Sequence, residues 1–198
     1  MIKNNNEKNG LLIAIYGINN IGKTTQVKLL KEEFEKQGKK TIIIKYPVYD
    51  LVPTGPQINA YLRLGNPEKL SPKQIQFLFA QNRRDYEVKL KELIVENDIV
   101  ILEDYKGTGI SWGMGAGVDK DYLIEINKDL INPDISILMD GKRFLQGEEK
   151  NHQHENNYEL IDKVREALLE LSKQFNWKIV NANQSIEFVK KDIISYFK

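Results

Sequence analysis

The run GINNIGKT at 17–24 has the spacing G-x-x-x-x-G-K-[ST]. That spacing has a physical purpose. Gly17 and Gly22 let the backbone curl so that its N–H groups converge on phosphate oxygens, and the dipole of a following helix adds partial positive charge. Lys23 supplies a mobile cation for the β- and γ-phosphates, and the Thr24 hydroxyl is a ligand for Mg²⁺. Asn20 and Thr25 complete the residues expected around a bound nucleoside triphosphate. A dinucleotide site is excluded, because G-x-G-x-x-G is absent. The chemistry indicated is phosphoryl transfer, which asks a protein for positioning and charge neutralisation rather than for a covalent partner.

Further chemistry belongs at other strand ends. The run IVILE at 99–103 closes on Glu103, an acid placed to hold Mg²⁺ directly or through water, with Asp104 beside it. Asp140 ends the run ISILMD and reads as a structural turn acid.

The elements that must position these groups follow from hydrophobic pattern. Runs 11–16, 41–45, 99–103, 135–140 and 178–180 are short and apolar almost throughout, as fully buried parallel strands are. Amphipathic helices are expected over 23–37, 56–64, 72–96, 119–130, 159–175 and 185–197. The proline-bearing 47–57 reads as loop. So does 107–117, which holds Gly107, Gly109, Gly113, Gly115 and Gly117. Residues 141–157 are polar and turn-rich and are expected to form a mobile lid. The alternation predicts an α/β fold: a five-stranded parallel sheet flanked by helices, with ligands at the carboxyl ends of the strands.

Composition narrows the class. The 198 residues carry 41% hydrophobic and 29% charged side chains and a net charge of +1. One domain over 11–198 behind a polar tail at 1–10 is the expected organisation. The near-neutral balance calls for no nucleic-acid partner. The lack of cysteine excludes disulfides and thiolate sites and suits a reducing cytoplasm. No apolar run approaches the ~20 residues of a membrane span, and residues 1–10 lack the apolar core of a signal peptide. His152 and His154 are spaced for a metal, but a mobile, cysteine-free segment argues against one.

Several segments, taken in order, resemble the thymidylate kinases. GKTTQVKLL continues the phosphate loop in that family's manner. Phe77-Leu78-Phe79-Ala80-Gln81-Asn82-Arg83 resembles its thymine-binding helix. Glu103-Asp104-Tyr105, with Thr108-Gly109 and Trp112 after it, stands where the family carries Asp-Arg-Tyr and base-contacting residues. INKDLINPDISILMD resembles the segment before its lid. The likeness spans about residues 10–198. It implies a P-loop NTPase fold, ATP with Mg²⁺ as donor, dTMP as acceptor, dTDP as product and a homodimer with the 72–96 helix at its interface. It also implies that Phe79 stacks on the base, that Arg83 donates to the 4-carbonyl, that Tyr105 crowds the sugar 2′ position, and that Thr108 and Trp112 lie near the base. For Trp112, packing is an equal reading.

The departures are informative. Tyr49 stands where the family has a phosphate-binding arginine, and Asp104 stands where it has the arginine of Asp-Arg-Tyr. Asn19 and Asn20 replace an acid and sometimes an arginine; Asn19 can still hydrogen-bond a sugar hydroxyl. The transition-state cation is then expected from the lid: Lys142, Arg143 or Lys150, with Arg143 preferred. The acceptor phosphate is expected on Lys106, with Arg63, Lys45 or a second Mg²⁺ on Glu103 or Asp104 as alternatives. A kinase for another nucleotide or a nucleoside, and a catalytically silent nucleotide-binding domain, are the competing functions.

Overall fold

The computed structural model describes residues 10–144 and 157–197. The strands are β1 (Leu11–Tyr16), β2 (Thr41–Lys45), β3 (Ile99–Glu103), β4 (Ile135–Asp140) and β5 (Lys178–Asn181). They form one sheet in the order β2-β3-β1-β4-β5, with every pairing parallel. A parallel sheet covered on both faces needs apolar residues without alternation. β1 and β3 meet that demand: Ile13, Ala14, Ile15, Val100, Ile101 and Leu102 are fully buried.

The strand order fixes where chemistry can happen. The chain leaves β1 for β2 and returns through β3 between them, then crosses β1 to reach β4. A crevice opens where these crossovers diverge. In register, Glu103 lies opposite Ile15 on one side and Lys45 on the other. The loop after β1 is therefore brought beside Glu103 by pairing alone.

Helix α1 (Lys23–Lys36) starts directly out of that loop and buries Val27, Leu30 and Phe34. Helix α2 (Thr54–Arg63) and helix α3 (Pro72–Asp85) pack together through Ile58, Leu62, Ile75 and Phe79. A capping box of Ser71 and Gln74, with Pro72 in the first turn, starts α3. The helical stretch expected over 72–96 is two helices. Tyr86 separates α3 from α4 (Glu87–Glu96), and its ring lies edge-on to Tyr46, centroids 6.1 Å apart. That anchorage re-aims the chain so that Leu90, Leu93 and Ile94 are buried.

The glycine-rich segment expected as irregular loop is instead helix α5 (Lys106–Gly115). Packing overrides propensity here. A side chain at 113 would meet Leu123 at 2.5 Å, and one at 107 would meet the Trp177 ring at 2.5 Å. The glycines are what allow α5 to lie this close to its neighbours. Helix α6 (Lys120–Glu125) is shorter than the 119–130 expected. The Asn127 amide bonds back to the Leu123 carbonyl at 2.8 Å, and tighter turns follow. Helices α7 (Tyr158–Gln174) and α8 (Ile186–Ser195) close the molecule, capped by Asn157 and Ser185.

Most of the expected lid, 145–156 with Lys150, His152 and His154, lies outside the described residues. Among the described residues, no helix is long and apolar enough to cross a membrane.

Candidate active site

The loop between β1 and α1 has the conformation its spacing calls for. Gly22 caps α1 at φ 91°, a left-handed geometry that glycine adopts without strain. Lys23 is buried, and its Nζ donates to the carbonyls of Gly17 and Ile18 at 2.9 Å each. The same ammonium lies 3.7 Å from Asp104 Oδ1. Thr24 Oγ1 donates to Glu103 Oε1 at 2.5 Å, and Lys45 Nζ reaches that oxygen at 2.9 Å.

These groups line a cavity of about 460 Å³, a size that suits a nucleotide-scale ligand. Asn19, Asn20, Gly22, Lys23, Thr24 and Thr25 form the loop side. Gln76, Phe79 and Arg83 form the opposite end, from one face of α3. Their spacing of three and four residues is that of helical neighbours. Thr108, Gly109 and Trp112 of α5 form the back wall. Lys45, Tyr49, Arg63, Glu103 and Asp104 line the middle.

Arg83 is 5% exposed and stands among Tyr16, Tyr46 and Tyr105, with the Asp104 carboxylate the weaker neighbour. Nη1 donates to Asn127 Oδ1 at 3.3 Å, while Nε has no hydrogen-bond partner. Burial lowers the guanidinium from its ordinary value, and the tyrosines and Asp104 oppose that only in part. A Cβ at 109 would meet the guanidinium at 2.5 Å, so the close approach of Arg83 to α5 requires glycine there. This cation is costly to bury and carries an orphaned donor, which suits an incoming acceptor atom.

Asp104 takes a left-handed backbone, φ 63°. Its Oδ1 accepts from Thr108 Oγ1 at 2.8 Å. Burial raises the carboxyl, with Glu103 adding to the rise, and Lys23, Thr108 and Lys45 pull the other way without cancelling it. For Lys45, burial lowers the ammonium, but the bond and charge of Glu103 with the charge of Asp104 hold it above its ordinary value.

The structure thus brings most of the expected residues together. Tyr105 and Lys106 are not brought to the cavity. Tyr105 is fully buried with its ring 5.1 Å from that of Tyr46. Lys106 points to the rear, where Nζ donates to Leu130 O at 3.2 Å and Asn132 Oδ1 at 2.5 Å. Arg143 does not line the cavity; its guanidinium lies 5.0 Å from the Tyr158 ring centroid. Asp140 forms a two-pronged ion pair with Arg165 at 2.7 and 2.9 Å.

Sequence reasoning missed the roles of Asn82, Gln76 and Phe144. Asn82 is fully buried, accepts from Val48 N at 2.8 Å, and donates to Val48 O and Thr54 Oγ1 at 3.0 Å each. It fixes the loop that carries Tyr49. Its place beside Arg83 was the available signal. Phe144 N donates to Asn20 O at 2.8 Å and its ring reaches the cavity, a contact with no sequence signature.

For Mg²⁺, the donor set fits. The Thr24 hydroxyl and Glu103 carboxylate already meet, with Asp104 beside them, and these are hard oxygens. An ion that keeps several waters and binds phosphates needs no larger cage.

Comparison with known proteins agrees with this geometry. A family model described as thymidylate kinase matches residues 15–193. The chain is 31% identical over 198 residues to a probable thymidylate kinase of Thermococcus gammatolerans, covering 93% of this chain and 94% of that one. It is 27% identical over 193 residues to a thymidylate kinase of Dictyostelium discoideum, covering 96% and 86%. A solved thymidylate kinase of Candida albicans superposes with a TM-score of 0.78 at 25% identity, covering 96% of this chain and 92% of that one. With the family model matching residues 15–193 and relatives of about 30% identity matched over nearly their whole length, this protein belongs to the thymidylate kinase family.

Proposed function

We propose that the protein transfers the γ-phosphoryl group of ATP to the 5′-phosphate of dTMP, giving dTDP and ADP. The observation that carries this reading is the end of the cavity formed by α3, where Phe79 and the nearly buried Arg83 share one helical face. A flat apolar ring beside a donor-only guanidinium recognises a base that presents a carbonyl at its 4-position.

The roles follow from position. The loop backbone, with Gly17, Asn20, Gly22 and Thr25, cradles the donor phosphates. Lys23 exchanges its bonds to Gly17 O and Ile18 O for phosphate oxygens. Thr24 and Glu103 would hold Mg²⁺, with Asp104 in support, and the ion would supply positive charge to the donor phosphates. Lys45 holds the Glu103 carboxylate in place. Asn19 meets the acceptor sugar, and Thr108 and Trp112 close the wall behind the base. An acceptor phosphate oxygen attacks the γ-phosphorus, and the bond to the β–γ bridging oxygen breaks with its electrons passing to ADP. Arg143 supplies positive charge to that transition state by leaving the Tyr158 ring. We place the enzyme in the cytoplasm as a homodimer.

An ADP-release assay over thymidine, dTMP, dUMP, dCMP and dGMP tests the assignment. The highest kcat/KM is expected for dTMP, with dependence on Mg²⁺. Release with thymidine but not dTMP, or with no acceptor at all, would sink it.

A further inference from the structure

The middle of the cavity sets a charge problem. Between the phosphate loop and the Phe79–Arg83 end, a monophosphate must pass Glu103 and Asp104, two carboxylates that line the same space. A dianion beside two anions is repelled unless a cation stands with it. Lys23 belongs to the donor loop, and Arg83 is held at the base end against α5. Lys45 is drawn onto Glu103 at 2.9 Å, and Lys106 faces the rear.

Arg63 answers the need. It comes from the last turn of α2, is half-buried, and lines the cavity. Its Cζ lies 4.8 Å from the centroid of the Tyr49 ring, and Nη1 donates to Asn59 Oδ1 at 2.9 Å. An aromatic face attracts a guanidinium and holds it flat against the ring. The flat stack keeps the planar fork oriented, which is the geometry that grips phosphate oxygens in pairs. The Tyr49 seat is itself anchored, because Asn82 holds the main chain of Val48 from both sides. The residue next to Asn82 on α3 is Arg83. One helix therefore sets the distance between the base end and the Tyr49 platform.

We infer that Arg63, seated on Tyr49, binds the 5′-phosphate of the acceptor monophosphate. The inference rests on the dTMP reading above and adds the residue that holds the acceptor's charge.

The test is calorimetric binding of dTMP and thymidine to the full-length protein and its Arg63→Gln, Arg63→Lys and Tyr49→Leu variants. Arg63→Gln is expected to raise the Kd for dTMP about 10–100-fold, the range for losing a charged hydrogen-bonding partner, and to change that for thymidine less than about twofold. Arg63→Lys should restore part of the loss. Tyr49→Leu should raise the dTMP value and spare thymidine. Equal weakening of both ligands would assign Arg63 a structural role and overturn the clamp. So would unchanged dTMP binding, or a sharp loss on Lys106→Ala in its place. Wild-type protein that binds thymidine and dTMP equally would also reject the clamp while leaving base recognition standing. Protein that binds neither would remove the dTMP reading and the clamp with it.

Discussion

Lys23 and Arg83 are buried cations with different duties, and substitution should separate them. Lys23→Ala is expected to lower kcat by ~10²–10³, the scale of one preorganised charge contact, with the far-ultraviolet dichroism unchanged. Retained turnover would remove Lys23 from the chemistry. Arg83→Gln should shrink the dTMP-over-dCMP ratio of kcat/KM at least ~10-fold, because the 4-positions of the two bases offer an acceptor and a donor. An unchanged ratio would show that the guanidinium does not read the base. Asp104 yields a prediction about pH. Burial holds its carboxyl above the ordinary carboxylate value, so ionising it costs the fold stability. Its stabilising contribution is full below the unfolded pKa and is lost as pH rises through the folded one. Asp104→Asn should therefore raise Tm at neutral pH, with the gain fading as pH falls through the raised folded pKa and gone below about 4. A gain that is constant with pH would point to packing instead. At this scale the sequence was legible where a motif ties residue type to backbone, as in 17–24. It was illegible at 104–106. There the left-handed Asp104 breaks the strand's alternation, leaves its own carboxyl at the cavity, sends Tyr105 into the core and turns Lys106 to the rear.

The strands were read from sequence to within a residue, since strands of a covered parallel sheet are apolar almost throughout. Helix α5 was not. Glycine costs about 1 kcal/mol per helix position relative to alanine, and no local rule shows that tertiary contact repays it. The break at Tyr86 was hidden for the same reason, because its cause is a ring on a distant strand end. The close packing of α5 can be checked at 109. Gly109→Ala places a methyl group against the Arg83 guanidinium, where the added carbon would lie 2.5 Å from the nearest nitrogen. Base discrimination should fall as it does for Arg83→Gln, while the KM for ATP stays within about twofold. If ATP binding falls in step, the helix as a whole has shifted.

For the whole molecule, the sheet order places the phosphate loop beside Glu103 before any side chain is considered, and the α/β alternation was enough to foresee that edge. Assembly is less visible from one chain. Phe77 on α3 and Val88 and Val95 on α4 are 48%, 70% and 53% exposed, and the last two share a face. If these helices form the homodimer contact proposed above, Val88→Glu with Val95→Glu should give a monomer by sedimentation, and wild-type protein that is monomeric at working concentration would rule the contact out. Helix α5 has a further consequence for how tolerance to mutation will be distributed. An element that meets its neighbours with bare backbone has no slack to give, so even one added carbon at Gly107 or Gly113 must displace a ring or a branched side chain. A saturation scan scored by growth would then rank α5 with the phosphate loop for intolerance. It would do so even at positions that no nucleotide touches, and such a map read without the structure would draw the active site too large.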